Sequence, residues 1–142
     1  MKPVLCMRLA SGLTFVHAVL HTIGGVFGEP APGAQAAAVA AMKANQFQVM
    51  GLTRTYWDFQ MGLGLALSIM LLVEAVVFWQ LGSLARTDAS RLRPMLATFL
   101  VGYLGLAVNS YKYIFAPPMI NELVIVVFLG LAILTSRPVR PA

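Results

Sequence analysis

Two histidines, His17 and His21, lie four residues apart in the apolar segment FVHAVLHTIGG, residues 15–25. This spacing places both imidazole rings on one face of a helix. Imidazole titrates near neutral pH and can accept or donate a proton. Ionisable side chains within an apolar span are costly and usually face the interior of a helix bundle. The pair therefore predicts a polar pocket inside such a bundle.

The composition indicates a membrane protein with a single domain, residues 1–142. The chain is 59% hydrophobic and only 11% charged, with a mean hydropathy of +0.81, whereas a soluble domain has about 25% charged residues. The net charge of +5 would suit nucleic acid. However, the basic residues lie at helix ends, so we expect no nucleic-acid partner. The single cysteine excludes an internal disulfide and a cysteine-based metal cluster.

Four apolar stretches are long enough to cross a bilayer, at about residues 9–27, 57–84, 94–115 and 118–136. They predict an all-α fold in which four transmembrane helices form a bundle. Residues 28–55 then lie outside the membrane, and AQAAAVAAMKANQFQVMG within them is a good helix former. We expect a short surface helix there, which serves either as a connector or as a lid over a site.

The basic residues predict the orientation of these spans. Three of them fall on the side of residues 28–55: Lys43, Arg54 and Lys112. Seven fall on the opposite side: Lys2, Arg8, Arg86, Arg91, Arg93, Arg137 and Arg140. Because positive charge is retained in the cytoplasm, both termini are expected there.

Most polar side chains of the spans fall in their outer halves when depth is counted at about 1.5 Å per residue. On the third span we expect the face with Thr98, Gly102, Gly105 and Asn109 to point inward, because small and polar residues favour helix contacts in lipid. Lys112 continues that face and is expected to pair with Glu122. The layer comprises His17, His21, Asp58, Gln60, Asn109, Lys112, Asn121 and Glu122.

These residues could perform acid–base chemistry on a lipophilic molecule. His21 would transfer a proton, Glu122 would orient it, and Lys112 or Asn109 would polarise an oxygen atom. The candidate catalytic residues are thus His21, Glu122, His17 and Lys112. The candidate ligand-binding residues are Asn109, Asn121, Gln60, Trp57, Asp58 and Tyr113.

We expect no cofactor and no metal. A site made of His17, His21 and Glu122 is the metal alternative, since two histidines four residues apart can share one ion. It is disfavoured because the glutamate of an H-E-x-x-H motif is absent and Lys112 would repel a cation.

Each candidate also has a structural interpretation. A buried histidine can hydrogen-bond a neighbouring backbone carbonyl, Thr or Asn, and Lys112 can extend to the membrane interface. Asp58 suits the first turn of a helix, where the dipole favours an acid. Glu74, on the cytoplasmic side, is expected to be a hydrogen-bonded acid near Ser11, Thr98 or Arg8.

The run MGLTRTYWDFQMGLGLALS resembles a group of small bacterial four-helix membrane proteins. In these, a Trp-Asp-Phe motif opens the second helix, and a Gly-rich helix containing His precedes it. The resemblance implies the fold and a location in a bacterial inner (cytoplasmic) membrane, but no activity. In architecture alone, the chain is also similar to the sterol-isomerase and emopamil-binding proteins, which keep acidic and His residues in a membrane cavity. No motif of that family matches here residue by residue.

Three functions fit these observations. The first is a pocket that binds a lipophilic small molecule, with or without isomerase, cyclase or hydrolase chemistry. The second is a non-enzymatic accessory or ligand-carrying subunit whose polar layer holds the helices together. The third is a transporter or channel formed by a homo-oligomer. The expected partners are therefore lipid or a lipophilic molecule, the membrane, and in the third case further copies of the chain.

The charge bias generates a prediction about topology. A reporter fused after Ala142 should be cytoplasmic, and a reporter inserted near Gly33 should be external. Protease protection or alkaline-phosphatase activity in whole cells measures both. An external C-terminus would contradict the depth assigned to every polar residue.

Overall fold

The structure, a computed structural model, describes residues 2–136 and is mainly helical. The helices are α1 (Lys2–Leu20), α2 (Ala34–Ala44), α3 (Tyr56–Asp88), α4 (Arg93–Tyr113) and α5 (Ala116–Thr135). Between α2 and α3, strands β1 (Gln46–Val49) and β2 (Leu52–Thr55) form an antiparallel hairpin. Arg137 and Arg140, which contribute to the predicted orientation, lie outside the described residues.

Within residues 2–136, three continuous helical segments are long and apolar enough to cross a membrane: Lys2–Val26, Tyr56–Tyr113 and Ala116–Thr135. In the first, α1 continues into a π-helical turn, His21–Val26. In the second, a 3₁₀ turn, Ala89–Leu92, joins α3 to α4. The predicted predominance of apolar, membrane-compatible helices is confirmed.

The internal contacts divide the chain into two units. One contains the residues up to His17 together with those from Leu71 onward, and the other contains Ala18–Met70. We refer to them as the long unit and the short unit.

The core of the long unit is built from the first part of α1, the second part of α3, and all of α4 and α5. Phe78 lies at its centre, with ring centroids 4.9 Å from Phe99 and 5.9 Å from Tyr103. Edge-on and tilted packing of this kind is favoured between aromatic rings. The buried residues around them include Met7, Ala10, Leu81, Leu96, Ile125, Leu129 and Ala132.

The short unit corrects the prediction for residues 28–55. A helix is present, but α2 ends at Ala44, and the rest of the expected helix forms the first strand and the turn of the hairpin instead. The reason is a change of pattern: residues 46–49 alternate polar and apolar side chains with a period of two, and Met50 and Gly51 adopt the positive φ angles of a tight turn. Phe47 then packs at 4.9 Å from Tyr56 and 5.1 Å from Phe59, between ring centroids.

Thr55 and Asp58 begin α3 as a reciprocal cap. The backbone N–H of Asp58 donates to Thr55 Oγ1 at 3.0 Å, and the backbone N–H of Thr55 donates to Asp58 Oδ2 at 2.7 Å. Both otherwise unpaired donors of the helix start are thereby satisfied. This is the structural interpretation of Asp58 that the sequence suggested.

The π-helical turn generates a prediction about two glycines. A Cβ atom at Gly28 would collide with the carbonyl oxygen of Gly24, whereas a Cβ atom at Gly24 would meet no atom within 4 Å. Gly28→Ala should therefore lower the free energy of unfolding by about 1–3 kcal/mol, the usual cost of forced backbone shifts. Gly24→Ala is the matched control and should have a smaller effect. Thermal melts of both variants in detergent measure the difference, and equal melting temperatures would contradict it.

Candidate functional site

A chain of three polar side chains joins three helices of the long unit. The Tyr103 hydroxyl, on α4, donates to Glu74 Oε2 on α3 at 2.8 Å. The same hydroxyl is 3.1 Å from Thr14 Oγ1 on α1. A hydroxyl has one proton to donate, so Thr14 donates to Tyr103 in this arrangement. Thr14 and Tyr103 are both fully buried, and each hydrogen bond replaces contact with water that the fold has removed.

A fourth polar residue strengthens the contact between α1 and α3. The Ser11 hydroxyl donates to the backbone carbonyl of Ala75 at 2.7 Å. Ser11 and Thr14 are three residues apart and thus share a face of α1. Glu74 is therefore a hydrogen-bonded acid, as expected, but its partner is Tyr103 rather than Ser11, Thr98 or Arg8.

Glu122 is held by α4 in a different way from the one predicted. It is only 3% exposed, and the Ser110 hydroxyl donates to its Oε1 at 3.0 Å. The predicted ion pair with Lys112 is wrong. Lys112 is exposed, and its Nζ lies 5.1 Å from the centroid of the Tyr113 ring.

The predicted inward face of α4 is also wrong. Gly102, Gly105, Asn109 and Lys112 are exposed, as is Thr98. The face turned to the core instead carries Leu96, Tyr103, Ala107 and Ser110. The two faces are one residue apart, or roughly 100° around the helix. The observed rotation buries the Tyr103 ring and brings two hydroxyls to Glu74 and Glu122.

Two buried polar atoms next to each other in the sequence have no hydrogen-bond partner. They are Asn121 Nδ2 and Glu122 Oε2 at the start of α5. Such atoms are uncommon in folded proteins because each loses its hydration. They lie on two of the residues that the sequence singled out as site candidates.

His21 lies in the short unit and makes a hydrogen bond between helices. Its Nε2 is 3.1 Å from the backbone carbonyl oxygen of Gly64 on α3. Since a carbonyl only accepts, the ring donates from Nε2. Close by, the Thr22 hydroxyl is 2.8 Å from the hydroxyl of Ser68. This arrangement matches the structural interpretation of His21, in which the ring binds a backbone carbonyl.

The remaining candidates are dispersed over the surfaces of their units. Tyr113, Gln60 and Asp58 are exposed, and His17 is half-buried on α1. Trp57 is half-buried, and Lys43 Nζ lies 4.8 Å from the centroid of its ring. Such a cation over an aromatic face is mildly favourable.

No three His, Cys, Asp or Glu side chains in residues 2–136 are grouped so that they could hold a metal ion. The arrangement gives the metal alternative of His17, His21 and Glu122 no support.

Sequence reasoning missed Tyr103 and Ser110, which hold the two buried acids. A signal for Tyr103 was present. A phenol in the middle of an apolar span needs a partner for its hydroxyl, and Glu74 is an acid within the preceding apolar span. Ser110 carries no comparable signal, because its hydroxyl can bond the carbonyl four residues earlier in its own helix.

Comparison with protein-family models, with curated proteins and with solved structures finds no match for the chain. The resemblance to small bacterial four-helix proteins therefore stays a prediction.

Tyr103 generates the first prediction for this site. Tyr103→Phe leaves Glu74 and Thr14 without their shared partner and should lower the free energy of unfolding by about 1–3 kcal/mol. Tyr111→Phe removes the same atom from a side chain that is 80% exposed, so its effect should be within about 0.5 kcal/mol. Unfolding titrations in mixed detergent micelles measure both. Equal effects of the two substitutions would mean that the buried hydroxyl of Tyr103 contributes nothing to the free energy of unfolding.

A second prediction separates the partners of Glu122. A double-mutant cycle on Ser110→Ala and Glu122→Leu should show a coupling energy of about 0.5 kcal/mol or more, as residues in direct contact do. The cycle on Lys112→Met and Glu122→Leu should be additive within about 0.5 kcal/mol. A coupling energy well above this value between Lys112 and Glu122 would show that the two residues form an ion pair and would contradict the structure.

Proposed function

We propose that the protein is a four-helix integral membrane protein of a bacterial inner membrane that carries a lipid or similar lipophilic molecule without chemically changing it. Its place would be that of an accessory or ligand-carrying subunit. The observation that carries the proposal is the use of three titratable side chains in the helices: His21, Glu74 and Glu122 each hydrogen-bond a group on a neighbouring helix.

The four crossings are supported by length. The segment Tyr56–Tyr113 has 58 residues, which corresponds to roughly 87 Å of helix, whereas the hydrocarbon core of a bilayer is about 30 Å thick. The 3₁₀ turn Ala89–Leu92 divides it into two helices that each suffice for one crossing. With α1 and α5, the chain would cross four times.

The absence of chemistry is supported by how the candidate groups are engaged. His21 donates to Gly64, Glu74 accepts from Tyr103, and Glu122 accepts from Ser110. A general acid or base needs its reacting atom within hydrogen-bond reach of a substrate. Groups that hydrogen-bond one helix to another in a low-dielectric interior stabilise the fold, and that role requires no catalysis.

A second candidate function, acid–base catalysis on a lipophilic substrate, is favoured by one observation. Glu122 Oε2 and Asn121 Nδ2 are buried and lack partners. A carboxyl oxygen and an amide nitrogen in this state could accept from and donate to a bound molecule. In this case Glu122 rather than His21 would be the acting group.

The experiment that tests the proposed function measures co-purifying lipophilic molecules per protein by mass spectrometry, together with the melting temperature. His21→Ala and Glu122→Leu should lower the melting temperature, because each removes a hydrogen bond between helices. The folded fraction should retain the same amount of lipid as the unsubstituted protein. Asn109→Leu, an exposed position on α4, serves as the control for both measurements.

Two results would overturn the proposal. One is a His21 or Glu122 variant that stays folded and monodisperse but loses a bound molecule that the unsubstituted protein holds. The other is the absence of any retained lipid from the unsubstituted protein.

A further inference from the structure

A groove of about 400 Å³ lies between α1 and α3 within the long unit. Its walls are mainly apolar: Phe15, Leu72, Val76 and Trp79 line it, and all four are partly exposed. This volume is within the range of small-molecule sites in proteins. From Arg8 to Phe15 the groove follows eight residues of α1, and the rise between these two residues is about 10 Å.

Arg8 is the one charged residue among the described residues that line the groove. Its guanidinium carbon lies 3.3 Å above the centroid of the Trp79 ring, and Nη2 donates to Ser83 Oγ at 2.9 Å. Its Nη1 is buried and has no hydrogen-bond partner. A guanidinium fixed by stacking and by one hydrogen bond, with donors to spare, is prearranged for an anion.

Two glycines give the groove its shape. At Gly82, a Cβ atom would lie only 3.4 Å from Arg8 Nε, so the glycine lets the Arg8 side chain lie close along α3. At Gly12, a Cβ atom would meet nothing within 4 Å. Gly12 therefore leaves space in the groove that a larger side chain would fill without displacing the protein.

We propose that this groove is a binding site for one anionic phospholipid, with the phosphate at Arg8 and an acyl chain along α1 and α3. The site deepens the proposed function, on whose membrane location it rests, by naming the lipid class. The occupant follows from complementarity, because apolar walls with a cation at one end match a molecule with an apolar tail and an anionic head. The end with Arg8 is the one that the charge bias predicts to be cytoplasmic, where basic pockets between helices meet anionic headgroups.

A fluorescence experiment can test the site directly. The chain has two tryptophans, so Trp57→Phe leaves Trp79, in the groove wall, as the one emitter. The full chain is reconstituted in vesicles of unlabelled phosphatidylcholine. A tenth of the lipid is replaced by phosphatidylglycerol in one sample and by phosphatidylcholine in the other, and in both samples this tenth carries bromine in its acyl chains. Bromine quenches tryptophan at short range. Brominated phosphatidylglycerol should quench Trp79 with about a tenfold preference over brominated phosphatidylcholine, as one charge-assisted pair provides.

Two substitutions separate the headgroup from the acyl chain. Arg8→Gln should abolish the preference by removing the charge. Gly12→Leu should reduce quenching by both lipids by filling the groove while Arg8 stays in place. Gly102→Leu is the matched control, because a Cβ atom there also meets nothing within 4 Å, and it should leave the preference unchanged. If Arg8→Gln does not fold, Gly12→Leu alone still tests the groove.

Four results would overturn the site. They are equal quenching by the two lipids before substitution, a preference that survives Arg8→Gln, full quenching after Gly12→Leu, and loss of the preference on adding millimolar inorganic phosphate. The last would indicate a site for free phosphate rather than lipid. Each can occur while the purified protein still retains lipid, so failure of the site is distinguishable from failure of the proposed function.

Discussion

The hydroxyl of Tyr103 is the group on which the arrangement of the long unit depends. In an interior without water, each polar atom needs a partner, and an orphaned one costs about 1–3 kcal/mol. Tyr103 satisfies Glu74 and is satisfied by Thr14, so one atom fixes α4 relative to α3 and α1. Its ring packs at the same time against Phe78. Burial of the ring and pairing of the hydroxyl therefore demand the same rotation of α4.

That rotation explains why the face of α4 could not be predicted from periodicity. The helix carries one stripe of small and polar residues and another with Tyr103, Ala107 and Ser110, and both repeat with helical spacing. Small residues favour close helix contact in lipid, but a long hydroxyl-bearing side chain reaches further. The choice is made by Glu74 and Glu122, which lie on other helices. Single-helix patterns do not contain that information.

Other parts of the fold were accessible from sequence because their causes are local. The long apolar helices follow from composition, and Asp58 at a helix start follows from the acid three residues after Thr55. The hairpin is not predicted because the alanine-rich run before it has a strong helix propensity, and the predicted helix therefore includes residues that form the first strand. The point at which the helix ends depends on Phe47, whose contacts with Tyr56 and Phe59 stabilise the extended strand.

Arg8 shows how one residue can serve two roles that sequence cannot separate. As one of the seven basic residues that the sequence predicts to lie on one side, it would contribute to topology through its charge alone, for which lysine would serve equally well. In the structure it also stacks on Trp79 and donates to Ser83, and a planar, forked group is what such contacts require. Topology places no demand on Gly82 or Gly12, whereas a groove that receives a guanidinium and an acyl chain depends on both. The joint presence of arginine, tryptophan and two glycines is therefore what the proposed lipid site would require and what orientation alone would not.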